Sequence, residues 1–433
     1  MFRLTRRRVL ATGAALAVSA IALAGCSSSG DNSSAQKLET DKSKISGSIT
    51  FATWWSYADQ KLIDGFSKEY PNVKVHLDFT AVDSYPTKLQ TLASSGDLPD
   101  VFAAQGPSLV ALTKAKQLYN LNDALATAPD DGDAKTWKDS FNQSLLTGAN
   151  AGLAAPNKET WGVPFNAISV ASIYNKDIFD KVGVTPPATF DELLSNCTKL
   201  SDAGYIPMSL TGSTWIDWWP RLAWDQTMQG DKVADFSTSN PAYVKGFELV
   251  KKMADAKCWS SSQITTDIAG ETSLFLQQKT AQFVSVPENF LQSVAQGAKF
   301  NLGTYVLPAM DGKTPNRILG GGNANVIAVS AKSKNPSAAI AFAKYLTSKA
   351  TETSLATTQY TIPSLDIDLN SSNPLMVAYL KAASDGFVDS STYLPSFSTA
   401  GNTTFLTEVL PNLILGKTTP EQAAQATTNL FQK

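Results

Sequence analysis

Two spacings of apolar residues follow one another where the long folded part of the chain begins. Residues 48–54 are rich in β-branched and aromatic side chains, and residues 58–70 carry apolar side chains at helical spacing. Residues 73–79 then place apolar side chains at every second position. This pattern predicts a strand, a helix and a second strand, and such β-α-β units build parallel sheets covered by helices.

Two later helices have clear start signals. Thr189 and Glu192 form a capping-box pattern ahead of an apolar stripe. Asn335 and Pro336 read as an N-cap and a first-turn proline that open a helix over residues 338–348. The sequence therefore predicts an α/β protein. At 433 residues it is expected to divide into two lobes rather than to build one core.

The start of the chain has the layout of an export signal. Four arginines precede the first acidic residue, and an uncharged apolar run of about sixteen residues follows, which is short for a membrane span. The phrase that ends at Cys26 resembles the bacterial lipobox, in which the cysteine is lipidated. We read residues 1–25 as a signal peptide and residues 26–46 as a lipidated cysteine with a flexible tether. The arginines also resemble a twin-arginine signal, although basic residues head every secretory leader.

Charge and histidine content narrow the chemistry. The chain has 36 Lys and Arg against 38 Asp and Glu, and the leader holds four of the positive charges. The rest is acidic, which argues against nucleic-acid binding. His76 is the one histidine, so a multi-histidine metal site is excluded and Ser-His-Asp catalysis would depend on that ring. It falls on the polar side of the second strand, and a solvent-facing position is expected. We expect neither a cofactor nor a metal.

Several phrases, in one order along the chain, resemble the sugar-binding family of extracellular solute-binding proteins, which serve ATP-driven importers. Each phrase alone is weak, but their common order from residue 47 to residue 425 is specific. The matching phrases are residues 49–55, 66–75, 95–102, 161–165 with 173–177, and 333–339.

The resemblance implies a two-lobed periplasmic-binding-protein fold, each lobe a mainly parallel sheet flanked by helices, with a hinge between the lobes. Lobe 1 would be residues 47–166 and 312–360, and lobe 2 residues 167–311 and 361–433. The implied role is that of a monomeric, non-enzymatic sugar receptor at the outer face of the cytoplasmic membrane. It would hold a mono- or oligosaccharide in the cleft and deliver it to the permease subunits of an ABC importer. Its own attachment to the membrane would be through the lipid on Cys26 alone.

Tryptophan pairs are the first candidates for ligand contact. A sugar ring has an apolar face, so a carbohydrate site needs a flat aromatic group and polar groups at the ring's edge. Trp54 and Trp55 stand where the first strand should end, at the usual ligand end of a parallel sheet. Trp218 and Trp219 lie beside Arg221 in a second aromatic stretch. The alternative for each tryptophan is an ordinary place in the core.

The remaining candidates come from loop positions that match the family. They are Gln105, Glu288, Asn289, Gly321 and Asn323. The family often has an aromatic residue at the position of Gln105, and the glycines around Gly321 fit a plain tight turn equally well.

Cys197 and Cys258 are the thiols that remain after Cys26. Each continues a helical apolar stripe in the implied second lobe. Outside the cytoplasm a disulfide between them is favoured, with two separate buried thiols as the alternative.

Other functions stay open. Iron and polyamine receptors share the fold, but iron favours tyrosine or histidine clusters and polyamines favour clustered acids, whereas this chain is rich in tryptophan. An exported, lipid-anchored hydrolase would need a nucleophile motif, and none is found, although a glycosidase carboxylate pair has no spacing signature. An adhesin or scaffold would show repeats, and none is visible.

Overall fold

The computed structural model describes most of the chain from residue 38 to residue 431. The leader, Cys26 and the first part of the tether lie outside the described residues. Within the range the structure does not describe residues 83, 105, 151–158, 211, 213–215, 217, 229–235, 288–289, 313–323, 366, 368–372 and 385–398.

The described strands form two sheets. One has six strands in the order β2-β1-β3-β8-β4-β9, and the other has three in the order β6-β5-β7. The strands are β1 Gly47–Thr53, β2 Val73–Phe79, β3 Val101–Ala104, β4 Gly162–Ala167, β5 Ala171–Asn175, β6 Gln282–Ser285, β7 Leu302–Tyr305, β8 Ala324–Val329 and β9 Ile362–Pro363.

Helices connect the strands and cover the sheets. The described helices of the first half are α1 Gln60–Glu69, α2 Tyr85–Ser95, α3 Gly106–Lys114, α4 Asn122–Leu125, α5 Trp137–Ser140, α6 Gln143–Ala149, α7 Lys176–Val182, α8 Phe190–Asp202 and α9 Trp218–Thr227. Those of the second half are α10 Pro241–Asp255, α11 Ile268–Leu276, α12 Leu291–Gly297, α13 Pro336–Leu346, α14 Lys349–Thr358, α15 Val377–Ser384, α16 Thr399–Thr404, α17 Leu410–Ile414 and α18 Pro420–Phe431.

The α/β class and the opening β-α-β unit are confirmed, but the mainly parallel sheets are not. In the described part of the chain β1 pairs in parallel with β2 and β3, whereas β8 pairs antiparallel with β3 and β4, and β9 antiparallel with β4. Both pairings of the smaller sheet are also antiparallel. The crossover rule that makes strands parallel applies to successive strands of one sheet joined by a helix. β8 and β9 instead reach the larger sheet after the chain has passed through the smaller one.

Buried side chains form two large clusters. The first packs on the six-stranded sheet around residues such as Phe51, Phe102 and Phe342. The second packs on the three-stranded sheet around residues such as Ile173 and Phe283. The strand β4 joins them, because Phe165 belongs to the first cluster and Ala167 to the second.

Local signals decide most of the helix starts. The capping box is present at the start of α8. The Thr189 hydroxyl accepts a hydrogen bond from the Glu192 backbone N–H, and the Glu192 carboxylate accepts one from the Thr189 backbone N–H. Asn335 is the N-cap residue of α13 and Pro336 its first-turn proline, as predicted. The Asn335 side chain makes no cap hydrogen bond, and its amide nitrogen donates to the Ser48 carbonyl oxygen at 2.9 Å, which ties the helix to the start of β1. His76 is exposed on β2, as predicted.

A disulfide joins Cys197 to Cys258, with 4.7 Å between the Cα atoms. Cys197 lies on the buried face of α8, as predicted. Cys258 does not continue the helical stripe of α10, because the helix ends at Asp255 and Lys257 adopts a left-handed backbone with φ of 59°. That turn directs the chain back toward α8.

We expect reduction of this disulfide to lower the free energy of unfolding by roughly 4 kcal/mol, because the intact bond closes a loop of about sixty residues and so restricts the unfolded chain. Denaturant unfolding of the mature protein with and without a reductant measures the difference. Two thiols titrated in the unfolded, unreduced protein would contradict the bond.

Within the described residues, no helix is long and apolar enough to cross a membrane.

Candidate functional site

The ends of several strands meet at one edge of the six-stranded sheet. β1, β3 and β4 point the same way, since β8 runs antiparallel to both β3 and β4. Their carboxyl ends, and the start of β8, therefore share an edge that we call the C-terminal edge. Ligands of open α/β sheets bind outside such an edge.

Trp54 and Trp55 follow β1 at the C-terminal edge but have different surroundings. Trp54 is half-buried, and its ring lies 4.9 Å from that of Tyr85. The Tyr85 hydroxyl lies 3.0 Å from the Ala52 carbonyl oxygen and 2.8 Å from the Ala103 carbonyl oxygen, so its single hydrogen is shared between the ends of β1 and β3. Burial raises the pKa of Tyr85. Trp54 thus lies on a rigid support.

Trp55 is only 1% exposed. Its ring centroid lies 4.7 Å from that of Phe165, 5.3 Å from that of Trp54 and 6.3 Å from the parallel ring of Tyr57. These three aromatic neighbours leave no face of the Trp55 indole open to a sugar. In this structure Trp54, rather than Trp55, is the tryptophan of the pair that has exposed surface.

The second aromatic stretch shows the same division. Trp218 is half-buried at the start of α9, and Trp219 is 5% exposed and packs against Trp259 at 5.2 Å. Arg221, one turn into the helix, is half-buried. One tryptophan of each predicted pair is therefore partly exposed and the other is buried.

Five of the predicted site residues lie outside the described residues, namely Gln105, Glu288, Asn289, Gly321 and Asn323. Two of them neighbour strand ends along the chain. Gln105 follows the last residue of β3, and Asn323 precedes the first residue of β8.

Polar side chains lie buried where the chain passes between the clusters. Asn325 of β8 donates to the Asn166 side-chain oxygen of β4 at 2.9 Å, and both residues are buried. Gln226 of α9 accepts from the backbone N–H groups of Met310 at 2.7 Å and Asp311 at 3.1 Å, which holds the segment ahead of residue 313. These contacts fix the connections between the two sheets.

Glu352 fixes a third connection. Its carboxyl group accepts from the backbone N–H groups of Ser364 at 2.7 Å and Leu365 at 3.1 Å, and it bonds the Ser364 hydroxyl. The residue is 1% exposed, and burial raises its pKa to about 8. The segment that it holds includes β9, which pairs with the end of β4.

Sequence reasoning named the phrase that contains Phe165 but missed Tyr85, Asn166, Asn325 and Glu352. The position of Asn166 at the end of a strand that crosses between lobes was the available signal. Glu352 had none, because its partners, two backbone N–H groups and the Ser364 hydroxyl, belong to residues twelve and thirteen positions further along the chain. In the described part of the chain no three or more His, Cys, Asp or Glu side chains are placed to hold a metal ion.

The family model described as bacterial extracellular solute-binding protein matches residues 48–353, well over half of the chain. A curated relative, the multiple sugar-binding protein of Streptococcus mutans, is 25% identical over 309 residues. That alignment covers 66% of this chain and 67% of the relative, so the match extends over about two thirds of each.

Solved structures have the same fold. The GacH receptor of Streptomyces glaucescens, solved unliganded and with acarbose, superposes with a TM-score of 0.71 at 21% identity and covers 90% of this chain and all of the receptor. UgpB from Mycobacterium tuberculosis, solved with glycerophosphocholine, gives a TM-score of 0.73 at 16% identity, with 89% of this chain and 98% of UgpB covered. The periplasmic-binding-protein fold is therefore confirmed, and the chain belongs to the family of bacterial extracellular solute-binding proteins.

Proposed function

We propose that the protein captures a mono- or oligosaccharide and delivers it to the permease subunits of an ABC-type sugar importer. The observation that carries the proposal is the half-buried indole of Trp54 at the C-terminal edge, held by Tyr85. A flat apolar ring in a fixed position is what a sugar face requires. The sugar-binding relative from Streptococcus mutans supports the same ligand class.

We propose that the chain divides into lobe 1, residues 47–166 with 312–360, and lobe 2, residues 167–311 with 361–433. Most members of the first buried cluster fall in lobe 1 and most members of the second fall in lobe 2, which supports this division. We propose that hinge closure brings Trp218 and Arg221 of lobe 2 toward Trp54 of lobe 1. Closure would remove water from the sugar's hydroxyl groups, which strengthens their hydrogen bonds in the site.

A glycerophosphodiester is the second ligand class, because UgpB was solved with glycerophosphocholine. A phosphodiester needs cationic partners, and Arg221 is the one cationic residue among the ten predicted contacts. A polyamine needs clustered acids, and Glu288 is the one acidic residue among them. Two tryptophan pairs and three amides, by contrast, match the apolar faces and hydroxyl groups of a neutral sugar.

Calorimetric titration of the mature protein against maltotriose, raffinose, acarbose and glycerophosphocholine tests the proposal. We expect one sugar to bind with a dissociation constant near micromolar, about −8 kcal/mol, and to change tryptophan emission. Binding of glycerophosphocholine alone, or turnover of a bound glycan, would overturn it.

We also propose that the protein is exported, with or without the twin-arginine route, and is held at the outer face of the cytoplasmic membrane by lipid on Cys26. The lipobox-like phrase before Cys26 and the polar stretch after it support this. We propose that the receptor is a monomer, because both lobes of the proposed cleft belong to one chain.

Replacing Cys26 by Ser should release the protein from the membrane fraction into the soluble fraction, because the thiol is the only site for the lipid in the phrase. Fractionation followed by immunoblotting measures the change, and Ser29→Ala serves as the matched control that should stay anchored. Recovery of Cys26→Ser in the membrane as firmly as wild type would refute the anchor.

A further inference from the structure

The strand β4 has an irregularity close to its end. Its register with β8 shifts between Pro164 and Asn166, which leaves Phe165 as the additional residue. Such bulges interrupt the regular alternation of side chains and occur often beside functional sites, where they redirect a side chain. Every residue of β4 is buried, so the redirected side chains remain within the protein.

Asn166, directly after this bulge, is incompletely hydrogen-bonded. It is 1% exposed, and its side-chain oxygen accepts from the amide of Asn325. Its side-chain nitrogen Nδ2 has no acceptor within the described part of the chain. An amide nitrogen carries two donors, and leaving a buried donor unpaired destabilises the folded protein. An unpaired amide of this kind calls for an explanation.

Asn150, at the other end of the same strand, shows the contrast. Its amide nitrogen donates to the carbonyl oxygens of Leu146 and Gly162, both at 2.9 Å. Its oxygen accepts from the backbone of Trp161 at 2.9 Å and of Gly162 at 3.2 Å. Asn150 therefore has a complete structural role in holding the start of β4, and Asn166 does not.

The location of Asn166 indicates what kind of acceptor Nδ2 could meet. The residue lies at the C-terminal edge, where the chain passes from the first buried cluster to the second. Asn166 is closed off from solvent in this structure, so a solute oxygen can reach Nδ2 only when the lobes part to admit the solute.

We propose that the side-chain amide of Asn166 donates a hydrogen bond to an oxygen of the bound solute and so helps to determine which solute is accepted. The inference rests on the proposed sugar-binding function and adds a residue to it. An N–H donor favours a hydroxyl, ring or phosphoryl oxygen and opposes an ammonium group. A site that contains this donor therefore selects neutral or anionic oxygen-rich solutes over polyamines.

The test combines Asn166→Ala and Asn166→Asp with Asn150→Ala as the matched control. Asn166→Asp keeps an acceptor for Asn325 and removes the donor. Each variant is titrated with whichever of maltotriose, raffinose or acarbose binds wild type, with glycerophosphocholine, and with monodeoxy forms of the bound sugar. We expect both Asn166 variants to bind 5- to 150-fold more weakly. Asn150→Ala should melt earlier and keep its affinity.

The monodeoxy sugars separate a direct contact from a general disturbance. One deoxy position should weaken binding to wild type but not weaken binding to Asn166→Ala any further, because the same hydrogen bond is lost in either way. A loss that is equal for every analogue, or unchanged affinity of both Asn166 variants, would overturn the inference while the sugar-binding function stands. If wild type binds no sugar but binds glycerophosphocholine in an Asn166-dependent way, the proposed function fails and the donor role is retained.

Discussion

Replacing Trp55 by Ala should lower the free energy of unfolding by about 3–5 kcal/mol, because the change empties a site surrounded by aromatic rings. Replacing Trp54 by Ala should instead weaken sugar binding by about 1–3 kcal/mol, a 5- to 150-fold rise in the dissociation constant. The half-buried Trp54 ring offers surface to a ligand, whereas the 1% exposed Trp55 ring offers almost none. Denaturant unfolding of the empty protein and calorimetric titration measure the two effects separately.

The second tryptophan pair is the internal control for this division. Trp219→Ala should behave like Trp55→Ala, since Trp219 packs against Trp259, and Trp218→Ala should behave like Trp54→Ala. If all four variants retain full affinity, the aromatic site is wrong. The ligand would then be held mainly by Gln105, Glu288, Asn289 and Asn323.

The sequence predicted the opening of the fold well because its signals are local. Residues 73–79, in which apolar and polar side chains alternate, form β2, and α1 lies within residues 58–70, whose apolar side chains have helical spacing. The same pattern placed His76 at the surface. A period of two or of 3.6 residues follows from backbone geometry, so it can be read without knowing the partner element.

Features that depend on distant partners could not be predicted in the same way. β8 pairs antiparallel with β3 because the chain returns to the larger sheet from the smaller one. No local spacing of apolar residues indicates that return. The burial of Trp55 depends on Phe165, more than a hundred residues further along the chain. At the site, sequence identified the tryptophan pairs, but which member of a pair is buried is decided by these packing contacts.

The buried carboxyl group of Glu352 predicts how stability changes with pH. It is 1% exposed, and its three hydrogen bonds all go to Ser364 and Leu365. Burial is the largest cause of its raised pKa, which is about 8 in the folded protein against an ordinary value of 4.5, and its hydrogen bonds oppose that rise. The folded state therefore holds a proton that the unfolded state has released between these two pKa values. The contribution of Glu352 to stability therefore falls as pH rises from about 4.5 to about 8.

We expect Glu352→Gln to remove this dependence and to be more stable than wild type at pH 8. A glutamine can accept from the two backbone N–H groups through its oxygen and donate to the Ser364 hydroxyl through its nitrogen, so the segment that contains β9 stays fixed. The difference between a pKa of 4.5 and one of about 8 corresponds to about 5 kcal/mol, which is the upper limit of the gap in stability. The two proteins should converge near pH 4.5. Denaturant unfolding at pH 5, 6, 7 and 8 measures the gap.

The control replaces Glu248, which pairs with Lys245 on the outer face of α10, by Gln. That variant should follow the wild-type pH profile, because a surface carboxylate loses little solvation on folding. Glu352→Leu provides a further distinction, since it leaves the backbone N–H groups of Ser364 and Leu365 without an acceptor and should destabilise the protein at every pH. Parallel stability profiles for wild type and Glu352→Gln from pH 5 to pH 8 would mean that Glu352 does not hold a proton in the folded protein. We expect the difference in free energy of unfolding between Glu352→Gln and wild type to grow as pH rises, because the buried carboxyl group of Glu352 must lose its proton only in wild type.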